Sequence, residues 1–423
     1  MNKARLTAGE VKRSLLYACS SICVVVLFLM SGVSVAGSLI ATWDANTEDD
    51  LAGYKIYYGT EPGTYTVEQD VGNTTVYVAD DLQDGQEYYF TVKAYDYAGN
   101  ISAPSVEVSA RVGDPTLVAL YEEEEETLKL VWTPVAEAES YSIFRGNDPY
   151  FTPESPIATV DTVTFQYLDD THITSGNEAT YYTVQANAGG EVLFSFNTVG
   201  AFDLELNTGL NLVSLPLIPA DSTIHTVIGD QLTGGENAAE ADQLRMWNGQ
   251  EYEIIWYYDG PVVEYEGKWI NSETGLESNR KLDPSAGFWI EVQEDHVDQS
   301  VTLTGRVPTA PEREIALQQG FNFVGSCYPV VVPLNETELY EDGVMQGGVG
   351  SGEADIIRAW TGTGYDQAWV VDGTDSDLDG TWMDETGKEE TTIQMRPGKG
   401  YIIWIKGDTP EDVWTYPNPM DQQ

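Results

Sequence analysis

Residues 241–269 read ADQLRMWNGQEYEIIWYYDGPVVEYEGKW, and residues 354–382 read ADIIRAWTGTGYDQAWVVDGTDSDLDGTW. At a constant offset of 113 the two stretches align without a gap. Ala241-Asp242 answers Ala354-Asp355, Arg245-x-Trp247-x-Gly249 answers Arg358-x-Trp360-x-Gly362, and Trp256 and Trp269 answer Trp369 and Trp382. The match runs on to Pro284-x-x-Gly287-Phe288 against Pro397-x-x-Gly400-Tyr401. The openings agree at an offset of 111, Gly209-Leu-Asn211-Leu-Val against Gly320-Phe-Asn322-Phe-Val. Self-similarity at a fixed spacing marks a duplicated structural unit, here of about 105 residues. Each copy opens on a buried-strand pattern. A short helix is expected next, over Ser222–Asp230 in the first copy and Glu336–Glu341 in the second, and strands then carry the tryptophans.

Working outward, the chain has 423 residues, room for several domains. Its first residues combine Lys3, Arg5, Lys12 and Arg13 with an apolar run from Leu15 to Met30 and Ser34-Val35-Ala36. That is the pattern of a secretory leader cleaved after Ala36, with an uncleaved anchor helix as the alternative. Beyond it no apolar run approaches the roughly 18 residues of a membrane span, so no insertion is expected after cleavage. The formal net charge is −49, and losing the leader makes it more negative. Such a field excludes nucleic acid as a partner, because phosphate recognition needs the opposite sign. Of the three cysteines only Cys327 outlasts cleavage, so no internal disulfide is expected, and its apolar flanks predict a buried thiol. The oligomeric state is not legible.

From residue 37 the chain reads as short alternating strands separated by turn residues. Leu39 to Trp43, Tyr54 to Tyr58, Thr75 to Val78 and Tyr88 to Ala94 are strands, and Gly53, Gly63, Asp84-Gly85 and Gly99-Asn100 are turns. Residues 114–205 repeat the theme: Thr127 to Trp132 answers the Trp43 strand, Tyr141 to Gly146 answers Tyr54 to Gly59, and Tyr181 to Ala186 answers the Tyr88 strand. On Trp43, Gly53-Tyr54-x-x-Tyr57 and Leu82-x-x-Gly85-x-x-Tyr88, residues 37–113 resemble a fibronectin type III domain, and residues 114–205 resemble a second. The resemblance implies a tyrosine corner at Tyr88. Only six residues separate the cleavage site from Trp43, so the first strand is expected to be short or missing, leaving a sheet edge open to strand addition. Fibronectin-like domains ahead of "NLVSLPL…GFWI" modules resemble surface proteins of environmental bacteria. The expected organisation is all-β: leader 1–36, fibronectin type III-like sandwiches at 37–113 and 114–205, and Trp-rich, mainly β modules at 206–308 and 309–423. No Pro/Gly/Ser-rich linker separates the second sandwich from the first module, so a stiff junction is expected there. The one expected hinge is Val307 to Pro311.

Catalytic patterns are lacking. His172, His225 and His296 stand singly, with no HExxH, no Gly-x-Ser-x-Gly elbow and no P-loop. The sharpest chemical candidate is Asp375-x-Asp377-x-Asp379-Gly380, where alternate carboxylates converge and glycine permits the sharp turn; Ca²⁺ is the hard cation such oxygens take. Asp384 is the expected closing ligand, because the twelfth loop position is Thr386. The alternative is an ordinary acidic turn. Aromatics form the second candidate: Trp256, Tyr257, Tyr258 and Tyr265 cluster in sequence and could stack on sugar rings. The pairs Trp247/Trp360, Trp256/Trp369 and Trp269/Trp382, with Tyr252/Tyr365, read first as core, because a duplicated fold keeps its packing. The sequence therefore points to a noncatalytic extracellular or cell-surface structural and adhesion protein, with an extracellular glycan or surface protein as partner. A secreted polysaccharide-binding accessory protein is the alternative. What the copies share is what a fold needs, so function is expected where they differ.

Overall fold

The computed structural model describes all residues except 1–21, 26–36, 44–45, 47–49, 84–85, 106, 114, 123–126, 172–177, 263–264, 297–298, 374–376, 408–412 and 421–423. The chain divides into two units, Met1–Pro115 and Thr116–Gln423. Among the described residues no helix is long and apolar enough to cross a membrane.

The first unit holds β1 (Ile22–Val25), β2 (Gly37–Trp43), β3 (Leu51–Gly59), β4 (Val67–Gly72), β5 (Val76–Leu82), β6 (Glu87–Asp96) and β7 (Val108–Arg111). Two antiparallel sheets result, β1-β2-β5 and β4-β3-β6-β7. Strand alternation sends Leu39, Ala41 and Trp43, Tyr54, Ile56 and Tyr58, and Phe90, Val92 and Ala94 into one core. The Tyr88 hydroxyl accepts the N–H of Gln83 at 3.2 Å, the backbone tie expected of a tyrosine corner. In the uncleaved chain, however, a first strand is present. Ile22–Val25 pairs with β2, Ile22 opposite Trp43 and Val25 opposite Ile40. Its residues come from the apolar run read as a leader, and the β-branched Ile-Cys-Val-Val segment satisfies edge groups that would otherwise stay open. The rest of that run lies outside the described residues.

In the second unit the strands β8 (Leu117–Glu122), β9 (Thr127–Trp132), β10 (Ser140–Gly146), β11 (Ala158–Val160), β12 (Gln166–Asp169), β13 (Ala179–Ala188), β14 (Glu191–Ser195) and β15 (Val199–Leu206) form a second sandwich. Trp132 meets Tyr141 at 5.6 Å, as Trp43 meets Tyr54. The Tyr141 hydroxyl accepts the Val135 N–H, and that of Tyr54 accepts the Asn46 N–H. Asp169 is the buried polar hub here, accepting hydrogen bonds from Thr171, Tyr182 and Arg145.

The first copy contains β16 (Gly209–Val213), the helical turn α1 (Ile224–Val227), β17 (Gln243–Trp247), β18 (Tyr252–Tyr257), β19 (Trp269–Asn271), β20 (Phe288–Val292) and β21 (Gln299–Arg306). The second contains β22 (Glu312–Ala316), β23 (Gly320–Gly325), β24 (Val332–Pro333), β25 (Ile356–Trp360), β26 (Tyr365–Val370), β27 (Trp382–Asp384), β28 (Gln394–Met395), β29 (Gly400–Ile405) and β30 (Val413–Pro417). Their main sheets have the same order, β16-β20-β17-β18-β19 and β23-β29-β25-β26-β27. Both expected helices shrink to a turn. Gly229 at φ +60° ends the first, and in the second a 3-10 turn at Leu334–Glu336 is stopped by Glu338 at φ +56°.

Strand β15 belongs to two cores. It pairs with β13 of the sandwich and, along its whole length, with β21 of the first copy. Val199 and Ala201 enter the sandwich core, while Phe202, Leu204 and Leu206, on the other face, enter the copy's core. The pair β22–β30 repeats β15–β21: Ala316 opposite Val413 is the counterpart of Glu205 opposite Ser300. The duplicated pattern therefore runs back through β15, and sandwich and module share a sheet. The expected hinge is also fastened. Asn418, 3% exposed, donates to the carbonyl of Ala310 at 3.0 Å, and its own N–H bonds Pro311 at 2.7 Å. The Tyr416-Pro-Asn418-Pro tail thus ties down the junction that its prolines and small residues suggested was loose.

The copies clasp each other about a local twofold axis. Val213 bridges Lys399, and its counterpart Val324 bridges Ala286. Ser214 donates its N–H to Gly398 at 3.0 Å, and its counterpart Gly325 donates to Ser285 at 2.7 Å. Gly287 and Gly400 meet at the axis: a Cβ on Gly287 would lie 3.3 Å from the Gly400 Cα, and one on Gly400 would lie 3.2 Å from the Gly287 Cα. This close approach is why the Pro-x-x-Gly-aromatic motif occurs in both copies. Leu212, Trp289 and Ile402, flanked by Leu210, Phe323 and Trp360, fill the interface.

Candidate functional site

Asp375 lies outside the described residues. Asp377 and Asp379 share the turn ending at Gly380, whose φ of +85° and N–H bond to Val371 at 2.8 Å return the chain to β27. Asp384 has other work. Its carboxylate accepts the Thr386 N–H at 3.1 Å and the Thr386 hydroxyl at 2.8 Å, closing the turn after β27. The Thr386 hydroxyl bond, with backbone N–H groups behind it, holds this carboxyl below its ordinary pKa. Among the described residues no three His, Cys, Asp or Glu side chains converge where they could hold a metal ion.

The four aromatic candidates come together, but as packing. Trp256 and Tyr258 expose 8% and 5% and pack with Ala241 and Ile270, with Tyr265 against the same cluster. Tyr257 lies against the main core, 5.5 Å from Trp269. A sugar needs a ring face open to water, and Trp256 and Tyr258 offer none. Trp369, Trp269 and Trp382 are buried as well, whereas Trp247 and Trp360 are only half-buried and Tyr252 and Tyr365 are 42% and 36% exposed. These last two pairs stand between the copies and not in either core.

His172 is outside the described residues, and burial lowers the pKa of His225. His296 Nδ1 lies 2.7 Å from the fully buried Asp242, which taken alone resembles half of a proton relay. The duplication shows what the aspartate is for. Asp242 accepts the N–H groups of Thr233 (3.1 Å) and Gln293 (2.9 Å). Asp355 accepts those of Gln346 (2.8 Å) and Lys406 (2.7 Å), the same positions one copy later. Position 296 corresponds to Thr409, so the staple persists where the histidine does not. Asn211 and Asn322 form a second matched pair. Their side chains accept the N–H groups of Asn207 and Gln318, each at 2.9 Å, and donate to the same two residues' carbonyls, each at 2.7 Å. Sequence comparison found these residues without showing that they were staples; a buried polar residue held in both copies was the available signal.

The two ends of the interface between the copies differ. Trp360 packs 5.0 Å from Tyr365, and its indole N–H donates to the Leu210 carbonyl at 2.6 Å. Trp247 likewise packs 5.0 Å from Tyr252. The counterpart bond, to Phe321, is not formed, and instead a cleft of about 370 Å³ opens there. Trp247 and the Asn248-Gly249-Gln250 turn form one wall; Gln318, Gln319, Gly320 and Phe321 form the other. Both turns are held from behind. The Asn248 side-chain oxygen accepts the N–H groups of Gln250 and Glu251 at 2.9 Å, Asn322 fixes Gln318, and Gly249 and Gly320 take φ values of +97° and +104°. Among the described residues no ionisable side chain lines the cleft, although the chain has 69 Asp and Glu. Arg358 lies 5.7 Å from the Phe321 ring centre, with its Nε bonded to Gln367. At the opposite end the turns carry Thr361-Gly-Thr363 and Asn207-Thr208. That difference in side-chain length and type was the sequence signal for this site.

Comparison with known proteins places the amino-terminal part. Residues 32–111 match the family model described as fibronectin type III domain. Exoglucanase B of Cellulomonas fimi is 38% identical over 79 residues, 18% of this chain and 7% of that protein. Chitinase A1 of Niallia circulans is 29% identical over 140 residues, 30% of this chain and 19% of that protein. The chain thus spans under a fifth of either relative's length. Among solved structures, a two-domain fibronectin type III segment of chicken tenascin is 16% identical, covering 43% of this chain and 97% of the segment, with a TM-score of 0.18. Strands β2–β7 and the tyrosine tie lie within the matched stretch, over which the chain is similar to a fibronectin type III domain.

Proposed function

We propose that the protein is a noncatalytic structural and adhesion component of the extracellular space or cell surface. The observation that supports this most directly is how the duplicated polar residues are used. Asp242/Asp355 and Asn211/Asn322 bind the same backbone groups in both copies, and Gly287/Gly400 serve close packing. The shared β15 and the twofold clasp join the second sandwich and both copies into one body. Two relatives named as an exoglucanase and a chitinase support a setting among polysaccharides. Residues 1–36 act as the leader in this reading, and Ca²⁺ at the Asp375–Asp379 loop adds local stability. The test is recovery of the protein from medium or cell surface with Gly37 at its N-terminus, with no sugar released from cellulose or chitin. Cytosolic protein retaining residues 1–36, or hydrolysis by the purified chain, contradicts the reading. Added Ca²⁺ should raise the melting temperature of the wild type but not of Asp377→Ala; equal shifts, or none, remove calcium from it.

A further inference from the structure

We propose that the cleft between the Asn248–Gln250 turn and Gln318–Phe321 binds a neutral saccharide chain. This goes beyond the scaffold reading, since a scaffold lacking the site would be exported and folded all the same.

The symmetry supplies the first argument. Both ends of the interface inherit the same aromatic pair at the same 5.0 Å spacing. Packing needs apply to both ends alike, and at the Trp360 end they are met by closing the indole onto the Leu210 carbonyl. At the Trp247 end the indole N–H makes no hydrogen bond among the described residues, and the space is left open. Packing alone does not account for an end that stays open beside one that shuts.

The lining supplies the second. A sugar ring presents C–H faces to be covered and hydroxyls that both donate and accept. An indole covers the first, and a carboxamide, with donor and acceptor on one group, matches the second. Trp247 stands beside the amides of Gln250 and Gln318, both exposed and neither bonded among the described residues. Phe321, 42% exposed, lies on the opposite wall. Because both turns are pinned by Asn248 and Asn322, the amides are carried on a preformed frame, which lowers the ordering cost of binding. The volume lies at the lower end of the roughly 300–1,000 Å³ typical of small-molecule sites, and the cleft is open, so a chain could run through it.

Charge supplies the third. A net −49 repels uronate chains, and among the described residues the lining offers no cation to offset that. Arg358 is stacked behind Phe321 and Trp404 with its Nε engaged by Gln367. Neutral chains meet no such penalty.

The test is isothermal titration of the full chain with cellohexaose, xylohexaose and N-acetylchitohexaose, with hexagalacturonate as the anionic comparison. Saturable binding of at least one neutral probe is expected, and none of hexagalacturonate. Gln250→Ala and Gln318→Ala, both exposed, should each weaken binding about fivefold, the loss of one hydrogen bond of about 1 kcal/mol. Trp247→Ala should weaken it more. Thr361→Ala with Thr363→Ala, at the closed end, should leave it unchanged. Absence of saturable binding by all three neutral probes overturns the proposal. So does binding indifferent to Gln250 and Gln318, or dependent on the Thr361 end.

Discussion

Replacing Gly400 with alanine tests the clasp between the copies. Gly400 does not occupy the positive-φ region, so alanine brings no backbone strain of its own. The cost is steric. A Cβ at this position would sit 2.8 Å from the Val213 carbonyl oxygen, 3.0 Å from Leu212 Cγ and 3.2 Å from the Gly287 Cα. Two of those three atoms are backbone and cannot swing aside, so the copies must separate locally. Overpacking of this kind costs about 1–3 kcal/mol. Alanine also stiffens the unfolded chain, which returns about 0.4–1 kcal/mol. A net loss of about 1–2 kcal/mol remains. Gly287→Ala, with its Cβ 2.9 Å from the Val324 oxygen and 3.3 Å from the Gly400 Cα, should behave the same way. The assay is urea unfolding followed by tryptophan fluorescence, since nine of the eleven tryptophans lie in the duplicated modules. Gly364→Ala is the matched comparison, because a Cβ there meets nothing within 4 Å, and it should be neutral or slightly stabilising. A Gly400→Ala protein as stable as Gly364→Ala would refute the close approach at the axis.

Other parts of the structure give further expectations. Asp355→Ala removes the buried carboxylate that accepts the part-buried N–H groups of Gln346 and Lys406 and should destabilise the second copy by about 1–3 kcal/mol; Asp242→Ala should do the same to the first, read by thermal unfolding. Burial pushes the Asp169 carboxyl up, but hydrogen bonds from Thr171 and Tyr182 and the charge of Arg145 outweigh it and leave the pKa below the ordinary value. Its contribution is therefore complete above about pH 4 and is lost as the pH falls through the lowered pKa, so Asp169→Asn should flatten the acid limb of the stability profile. A chain beginning at Gly37 lacks β1, and hydrogen exchange along β2 should quicken relative to a chain that keeps Ile22–Val25; equal exchange would show that β1 does not cover that edge.

Much of this architecture could be read in the sequence, for definite physical reasons. Strand alternation fixed the paired Trp43–Tyr54 and Trp132–Tyr141 cores, and the Leu82 to Tyr88 spacing located the tyrosine tie. The duplication named Asn211, Asp242 and Gly287 by their counterparts. It could not say what each was kept for, because a residue is retained alike whether it fills a core, staples a loop or meets its own counterpart across an axis. That ambiguity assigned Trp247 and Tyr252 to a core, when they stand between copies. It also offered Trp256 and Tyr258 as a sugar platform, when they are buried. Phe202-Asp-Leu-Glu-Leu206 reads as an ordinary amphipathic strand, and nothing in its alternation reveals that its two faces serve two cores. The cleft itself is a contact between residues 247–250 and 318–321, so only the fold brings its walls together. Its trace in the sequence was a difference between copies at otherwise matched turns.

Matched residues build the body, and the broken match makes the site. Exchange of the indole N–H groups in tryptophan-labelled full-length protein measures this directly. The Trp360 signal, bonded to Leu210, should exchange slowly, while the Trp247 signal should exchange fast and shift on adding a neutral hexasaccharide. Equal protection of the two, or a saccharide that moves both alike, would contradict it.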